Sequence, residues 1–294
     1  MKTPLLLCAL WALLPAVGSA QSVLSFPDFF LQLSEIPTPE LSRMEDLIRV
    51  VSVSRDSREL IETLRSIDNW TRGVTAEEEM LLVAALQSAA SNPVLDASVR
   101  AKAVDSLGRA CLWLQSDVRL SDAFLALVDI VKADHPLDNR RDLRLPALMG
   151  LARAIHRVPS FNRSLVESIL NASFDVIHDN SAAQENILAL AVVQKYLLSH
   201  GSADLFRCRG LDRRFEAEIL GPVEMNLPSL YGDMNRPLEY RYHLVRALIL
   251  VGWSRHADQS NLRHRCRQVL RNMEPLETDP QLRRLVETYS RDSR

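Results

Sequence analysis

A single apolar stripe, met twice at a fixed interval, constrains this chain more than any other feature in it. Val99, Ala103, Val104, Leu107, Ala110, Cys111 and Leu114 recur at three- and four-residue steps, which describes one face of an amphipathic helix. Adding 44 to each number gives Leu143, Ala147, Leu148, Leu151, Ala154, Ile155 and Val158, and every position stays apolar. The agreement reaches residues that amphipathicity does not dictate: Arg100 meets Arg144, and Arg109-Ala110 meets Arg153-Ala154. A further copy starts at Tyr240-Arg241 and continues through Leu244, Val245, Leu248 and Val251. A degraded copy occupies residues 184–198, where Lys195 breaks the stripe. A period of this length suits helix pairs that cannot bury their apolar faces alone and therefore stack on their neighbours.

Local signals agree with helices throughout. Thr38-Pro39-Glu40 reads as an N-cap followed by proline at the first helical position, where a missing N–H does no harm. Thr75 with Glu78 forms a capping box, and Glu77, Glu78 and Glu79 suit the positive end of the helix that it opens. Ser160, after Pro159, reads as another N-cap. No run of alternating Val, Ile or Thr is bounded by Asn-Gly or Asp-Gly, so hairpins are not expected. The predicted fold class is all-α.

The run Asp96-Ala97-Ser98-Val99-Arg100, followed by Ala103 and Leu107-Gly108, resembles the second helix of a HEAT unit. In that family an Asp precedes a Val-Arg pair, and small and apolar residues then face the neighbouring helix. Residues 139–154 are similar, with Leu143-Arg144 in place of Val-Arg and Pro146 in the first turn. The resemblance to HEAT/armadillo-like repeats covers residues 75–158. It implies an α-solenoid of antiparallel helix pairs, with about five repeats and an N-terminal helical cap. The expected pairs are 75–91 with 96–115, 119–134 with 140–157, 161–178 with 181–199, 213–220 with 237–256, and 259–273 with 280–290. Helices near 26–34, 39–54 and 56–68 form the cap. The division is then 1–20 leader, 21–74 cap, 75–200 repeats, 201–236 irregular insertion and 237–294 C-terminal repeats. The insertion carries Gly201, Gly210, Gly221, Pro222, Pro228, Gly232 and Pro237, and is expected to hold one short helix.

The leader shows a basic start at Lys2, an apolar run from Leu5 to Val17, and Gly18-Ser19-Ala20 as a small-residue cleavage site. This is the layout of a secretory signal peptide, too short to span a bilayer. The expected mature chain starts at Gln21, is periplasmic or extracellular, has no transmembrane span, and is a monomer. Loss of Lys2 moves the formal charge from -2 to about -3, which does not suit a nucleic-acid binder. Lys102, Lys132 and Lys195 are the only lysines beyond the leader, an arginine preference that favours GC-rich coding and a bacterial source. Cys111, Cys208 and Cys266 are too few for a disulfide framework. Cys111 is expected as a buried thiol, and a Cys208–Cys266 bridge stays open. Asn69, Asn162 and Asn171 match the glycosylation acceptor pattern at a frequency near chance.

His135, His156, His178 and His200 are spaced 21, 22 and 22 residues apart, one helix plus its turn. Each is expected near the C-terminal end of its helix, where an imidazole meets free carbonyls and the negative end of the dipole. No zinc-ligand spacing, nucleophile elbow or phosphate-cradling loop appears, so no metal, cofactor or catalytic residue is assigned. The segment 255–271 has a local cation excess: Arg255, Arg263, Arg265, Arg267 and Arg271 with His256 and His264, opposed nearby by Asp258. Helical spacing puts Arg263, Arg267 and Arg271 on one face. The expected function is an exported scaffold or adaptor that binds a protein partner. Its candidate contacts are Arg207, Arg209, Arg213, Arg214 and Tyr231 of the insertion, with Arg263, Arg267 and Arg271. The rival readings are an α/α-type envelope enzyme, which needs a deep pocket with convergent polar groups, and a module that makes weak contact with an anionic lipid or glycan through the basic helix.

Overall fold

The computed structural model describes residues 43–70, 73–133, 141–159, 162–178, 183–203, 208, 210–231, 237–254 and 260–291, all within the unit Leu41–Arg294. Among these residues the chain is all-α, with no strand. The helices are α1 Met44–Val53, α2 Ser57–Asp68, α3 Ala76–Ser91, α4 Ala97–Ala110, α5 Asp117–Val131 and α6 Arg144–Ala154. They continue as α7 Arg163–His178, α8 Ala183–His200, α9 Leu211–Phe215, α10 Gly221–Tyr231, α11 Leu238–Gly252, α12 Ser260–Met273 and α13 Pro280–Arg291. Single 3-10 turns flank α6 at Arg141–Leu143 and Ile155–Arg157, and a π-helical segment, Glu216–Leu220, joins α9 to α10.

Packing partners fall into two rows. In one, α2 packs on α4, α4 on α6, α6 on α8, α8 on α11 and α11 on α13. In the other, α1 packs on α3, α3 on α5, α5 on α7, α7 on α9 and the π segment, and the π segment on α12. Contacts between consecutive helices such as α3 with α4, α5 with α6 and α7 with α8 tie the rows together. All fourteen residues of the doubled stripe are buried in this shared core, as are Leu244, Val245, Leu248 and Val251 of the third copy. In α8 the apolar surface runs nearly all round, through Ala189, Leu190, Val192, Val193, Tyr196 and Leu197. Lys195 stands off that surface, exposed, rather than interrupting it. Two glycines set the spacing of α4 and α6: a Cβ built on Gly108 would lie 2.4 Å from the Gly150 Cα, so the two helices touch backbone to backbone.

Arg144 and Arg241 are buried too, and each closes a helix end or a charge pair. Arg144 donates from Nε to the Val131 carbonyl at 3.0 Å and from Nη2 to the Ala133 carbonyl at 3.4 Å, satisfying the exposed end of α5. Its Nη1 lies 3.5 Å from Glu185. Arg241 is paired with Glu277 at 2.6 Å, both side chains buried. Arg157 closes the end of α4, donating to the carbonyls of Leu112 at 2.6 Å and Leu114 at 2.8 Å.

The expected capping box forms: the Thr75 hydroxyl accepts from the Glu78 N–H while the Glu78 carboxylate accepts from the Thr75 N–H. Glu79 goes further than a first-turn dipole contact. It is buried, and its carboxylate accepts the Gln115 N–H at 2.5 Å and the Ser116 N–H at 3.0 Å, ahead of α5. Ser160 lies outside the described residues, and α7 is capped instead by Asn162, whose side-chain oxygen accepts the Leu165 N–H at 3.2 Å. The cap Thr38-Pro39-Glu40, the helix near 26–34 and the leader also lie outside the described residues.

The largest departure is in the insertion. Where one short helix was expected, residues 211–231 form a helical stretch in three parts. Leu211, Phe215, Ile219, Val223 and Leu227 are all buried, each four residues after the last. A four-residue step drifts around an α-helix of 3.6 residues per turn. Underwinding to i→i+5 bonding at Glu216–Leu220 brings the step back onto one face. Pro222 supplies a local cause, since it lacks an N–H and crowds the Glu218 carbonyl four residues back. The stretch then kinks at Asn226, two residues before Pro228.

Candidate functional site

The arginines of the basic segment meet partners within the chain. Arg263 donates to the Ser254 carbonyl at 2.8 Å, and Arg267 donates from Nε to the Gly252 carbonyl at 2.7 Å while its guanidinium lies 4.8 Å from the Trp253 ring centroid. Both therefore satisfy the open carbonyls at the end of α11. Arg265 reaches Glu216 and Glu224, the latter from Nε at 3.0 Å, and so clamps α12 to the π segment and α10. The charge excess of the segment is local in sequence only, because carboxylates about forty residues earlier are folded against it. Arg271 is half-buried. Arg214 pairs with Asp175 at 2.7 Å and Glu218 at 3.6 Å, over the Phe174 ring. Arg213 is exposed on α9. Arg207, Arg209, Arg255, His256, Asp258 and the side chain of Tyr231 lie outside the described residues.

His178 and His200 are the last residues of α7 and α8, and His156 sits in the 3-10 turn after α6. His178 Nδ1 is 2.8 Å from Glu218. His200 stacks on Tyr196 and faces the Ile155 carbonyl at 3.3 Å, so it serves the end of the neighbouring helix rather than its own. His135 lies outside the described residues. Among the described residues no group of three or more His, Cys, Asp or Glu side chains is placed to hold a metal ion. Cys111, Cys208 and Cys266 are all buried free thiols, so the Cys208–Cys266 bridge does not form. Burial pushes the Cys111 thiol up to about 12 and also raises Cys266. Neither is an activated nucleophile.

The concave feature that remains is a groove of about 480 Å³ between α3 and α5. Its floor and walls include Met80, Val83, Ala84, Leu125, Ala126 and Ile130. Met80 and Leu125, with Leu81 next to Met80 in the chain, are exposed at 39–42%. Arg119 and Asp122, paired at 3.0 Å, form a polar edge with Gln87 and Asp129. The sequence signal for this groove was the run Met80-Leu81-Leu82-Val83-Ala84-Ala85-Leu86, apolar around the whole helix rather than along a stripe. One side of such a helix is left without a partner when the rows assemble.

The row of α2, α4, α6, α8 and α11 has a different surface. Asp105 on α4 is approached by Lys102 at 3.1 Å, Arg109 at 3.1 Å and Arg153 of α6 at 2.9 Å. Burial alone would raise its pKa, but the three cations outweigh it and hold the carboxyl at about 2. Lys102 also pairs with Asp68 of α2. Further along, His243 Nδ1 is 3.2 Å from the buried Gln194 side-chain oxygen, and burial, then the Lys195 and Arg246 charges, lower it to about 4.

No protein-family model matches the chain, and no curated protein or solved structure matches it either. Among the described residues no helix is long and apolar enough to cross a membrane.

Proposed function

We propose that this chain is an exported helical-repeat scaffold, a solenoid of antiparallel helix pairs of the HEAT/armadillo-like kind, that holds a protein partner by its apolar side chains. The observation that carries this reading is the α3–α5 groove. Exposed Met80 and Leu125 lining a cleft of about 480 Å³ offer area that water solvates poorly and that a partner helix covers well, and exposed Leu81 follows Met80 on the same helix. Methionine is suited to such a surface, because its unbranched, polarizable side chain adapts to irregular partners. The polar edge at Arg119, Asp122 and Asp129 gives the occupant an orientation rather than affinity. The two-row packing supports a repeat array, and the leader at residues 1–20 supports export. The site has no activated nucleophile, and Asp122 and Asp129 are the only carboxylates lining it.

The test is an affinity capture from the native envelope or secretome with the chain starting at Gln21, followed by crosslinking. Capture of a reproducible protein that crosslinks to α3 and α5, and its loss when Leu125→Asp or Met80→Asp is introduced, is the expected result. Retention of the same partner by both variants overturns the groove as the docking site.

A further inference from the structure

We propose that the faces of α6, α8 and α11 form a second binding surface, whose ligand is an extended acidic polypeptide segment held through its carboxylates by Arg153, Lys195 and Arg246. This surface lies on the opposite row of helices from the α3–α5 groove and does not depend on it.

Four helices of this row carry a cation in the C-terminal half: Arg109 on α4, Arg153 on α6, Lys195 on α8 and, nearest the middle of its helix, Arg246 on α11. What stands four residues earlier, one turn back on the same face, differs among them. On α4 it is Asp105, on α6 Met149, on α8 Ala191 and on α11 Tyr242. Only α4 supplies its own carboxylate, and Arg153 borrows that one across the helix contact at 2.9 Å. The α4–α6 contact thus holds one carboxylate, Asp105, lodged between cations of successive helices. From α8 onward the carboxylate is missing. Among the described residues the Lys195 ammonium has no hydrogen-bond or ion-pair partner. Arg246 lies over the Tyr242 ring, 5.3 Å from its centroid, and donates to the Tyr242 hydroxyl.

The cations here strain against one another. Partial burial of the Lys195 side chain, then the Arg153 charge, loosen its hold on its proton, and burial, then the Lys195 and Arg246 charges, do the same to His243. An incoming carboxylate offsets that repulsion as well as forming an ion pair with Lys195. Spacing favours a polypeptide. Packed helices lie about 10 Å apart, which is roughly three residues of extended chain at about 3.3 Å each. Acidic residues repeating at that step meet successive rungs, while Met149 and Tyr242, both half-buried, offer apolar contact between them.

The probe is a dye-labelled decaglutamate peptide, titrated into the chain from Gln21 onward and followed by fluorescence anisotropy at low and moderate salt. Saturable binding that weakens about tenfold or more in Lys195→Ala/Arg246→Ala, with an unchanged circular dichroism spectrum, is the expected result. Arg213→Ala, which removes an exposed cation elsewhere, should leave it unaltered. Three outcomes overturn the proposal: no binding, equal weakening by Arg213→Ala, and binding of polyphosphate or phosphatidylglycerol vesicles but not decaglutamate.

Discussion

Replacing Gly108 with alanine tests how tightly α4 and α6 are held together. The added Cβ would lie 2.4 Å from the Gly150 Cα, about 1 Å short of the 3.4 Å at which ordinary contact begins. The atom it meets is backbone, so no side chain can rotate away and the helices themselves must part. Overpacking of this kind costs about 1–3 kcal/mol, and a forced shift between two buried backbones belongs at the upper end. Alanine regains about 1 kcal/mol of helix propensity over glycine. The net loss is about 1–2 kcal/mol, a fall of roughly 2–4 °C in Tm for a chain of this size. Gly150→Ala is the internal comparison. Its Cβ would lie 3.0 Å from the Gly108 Cα and 3.4 and 3.5 Å from the methyl groups of Leu127, which can give way, so its loss is smaller. Differential scanning calorimetry measures both. A Tm for Gly108→Ala at or above the parent, or below-parent values in the reverse order, would refute the close approach as the determinant of spacing.

Glu277→Leu leaves the Arg241 cation buried without its carboxylate and should destabilise by about 3–5 kcal/mol. Arg241→Met combined with Glu277→Leu should recover most of that loss in urea unfolding. His243 has a folded pKa of about 4 against 6.5 for an ordinary histidine, so between those values the unfolded chain binds the extra proton. Stability is therefore lost as pH falls from about 6.5 toward 4, by about 2–3 kcal/mol from this group. In urea unfolding across this range, His243→Gln should show a shallower decline than the parent. Cys111 and Cys266 should resist iodoacetamide at pH 8 in the folded chain and react fully in urea, read by intact mass. Rapid native alkylation at Cys111 would contradict its burial.

Much of the local architecture was legible because it is written in neighbours. The doubled stripe from Val99 and from Leu143 marked the buried faces of α4 and α6, since three- and four-residue spacing puts residues on one side of a helix whatever it later packs against. The Thr75–Glu78 box follows from orphan backbone groups at a helix terminus, which are likewise local. The histidine spacing located the ends of α7 and α8, but His178 and His200 turn there to Glu218 and to the Ile155 carbonyl, partners that spacing does not reveal. The stretch 211–231 was obscured by its glycines and prolines. Its signal, apolar residues at a steady four-residue step, becomes a helix face only through a π segment that packing against α7 and α12 sustains.

Partnerships between distant residues had to await the tertiary structure. Nothing near Arg263, Arg265 or Arg267 in the chain reveals that they would be used up on the end of α11 and on Glu216 and Glu224. Nor does anything near Lys195 reveal that it would stand beside Arg153 and His243 with no carboxylate of its own. Sequence by itself determined which residues turn inward, because burial of a periodic stripe depends on spacing along one helix. Which charges are satisfied and which stay open was decided by the stacking of helices forty or more residues apart, because electrostatic pairing depends on distance in space.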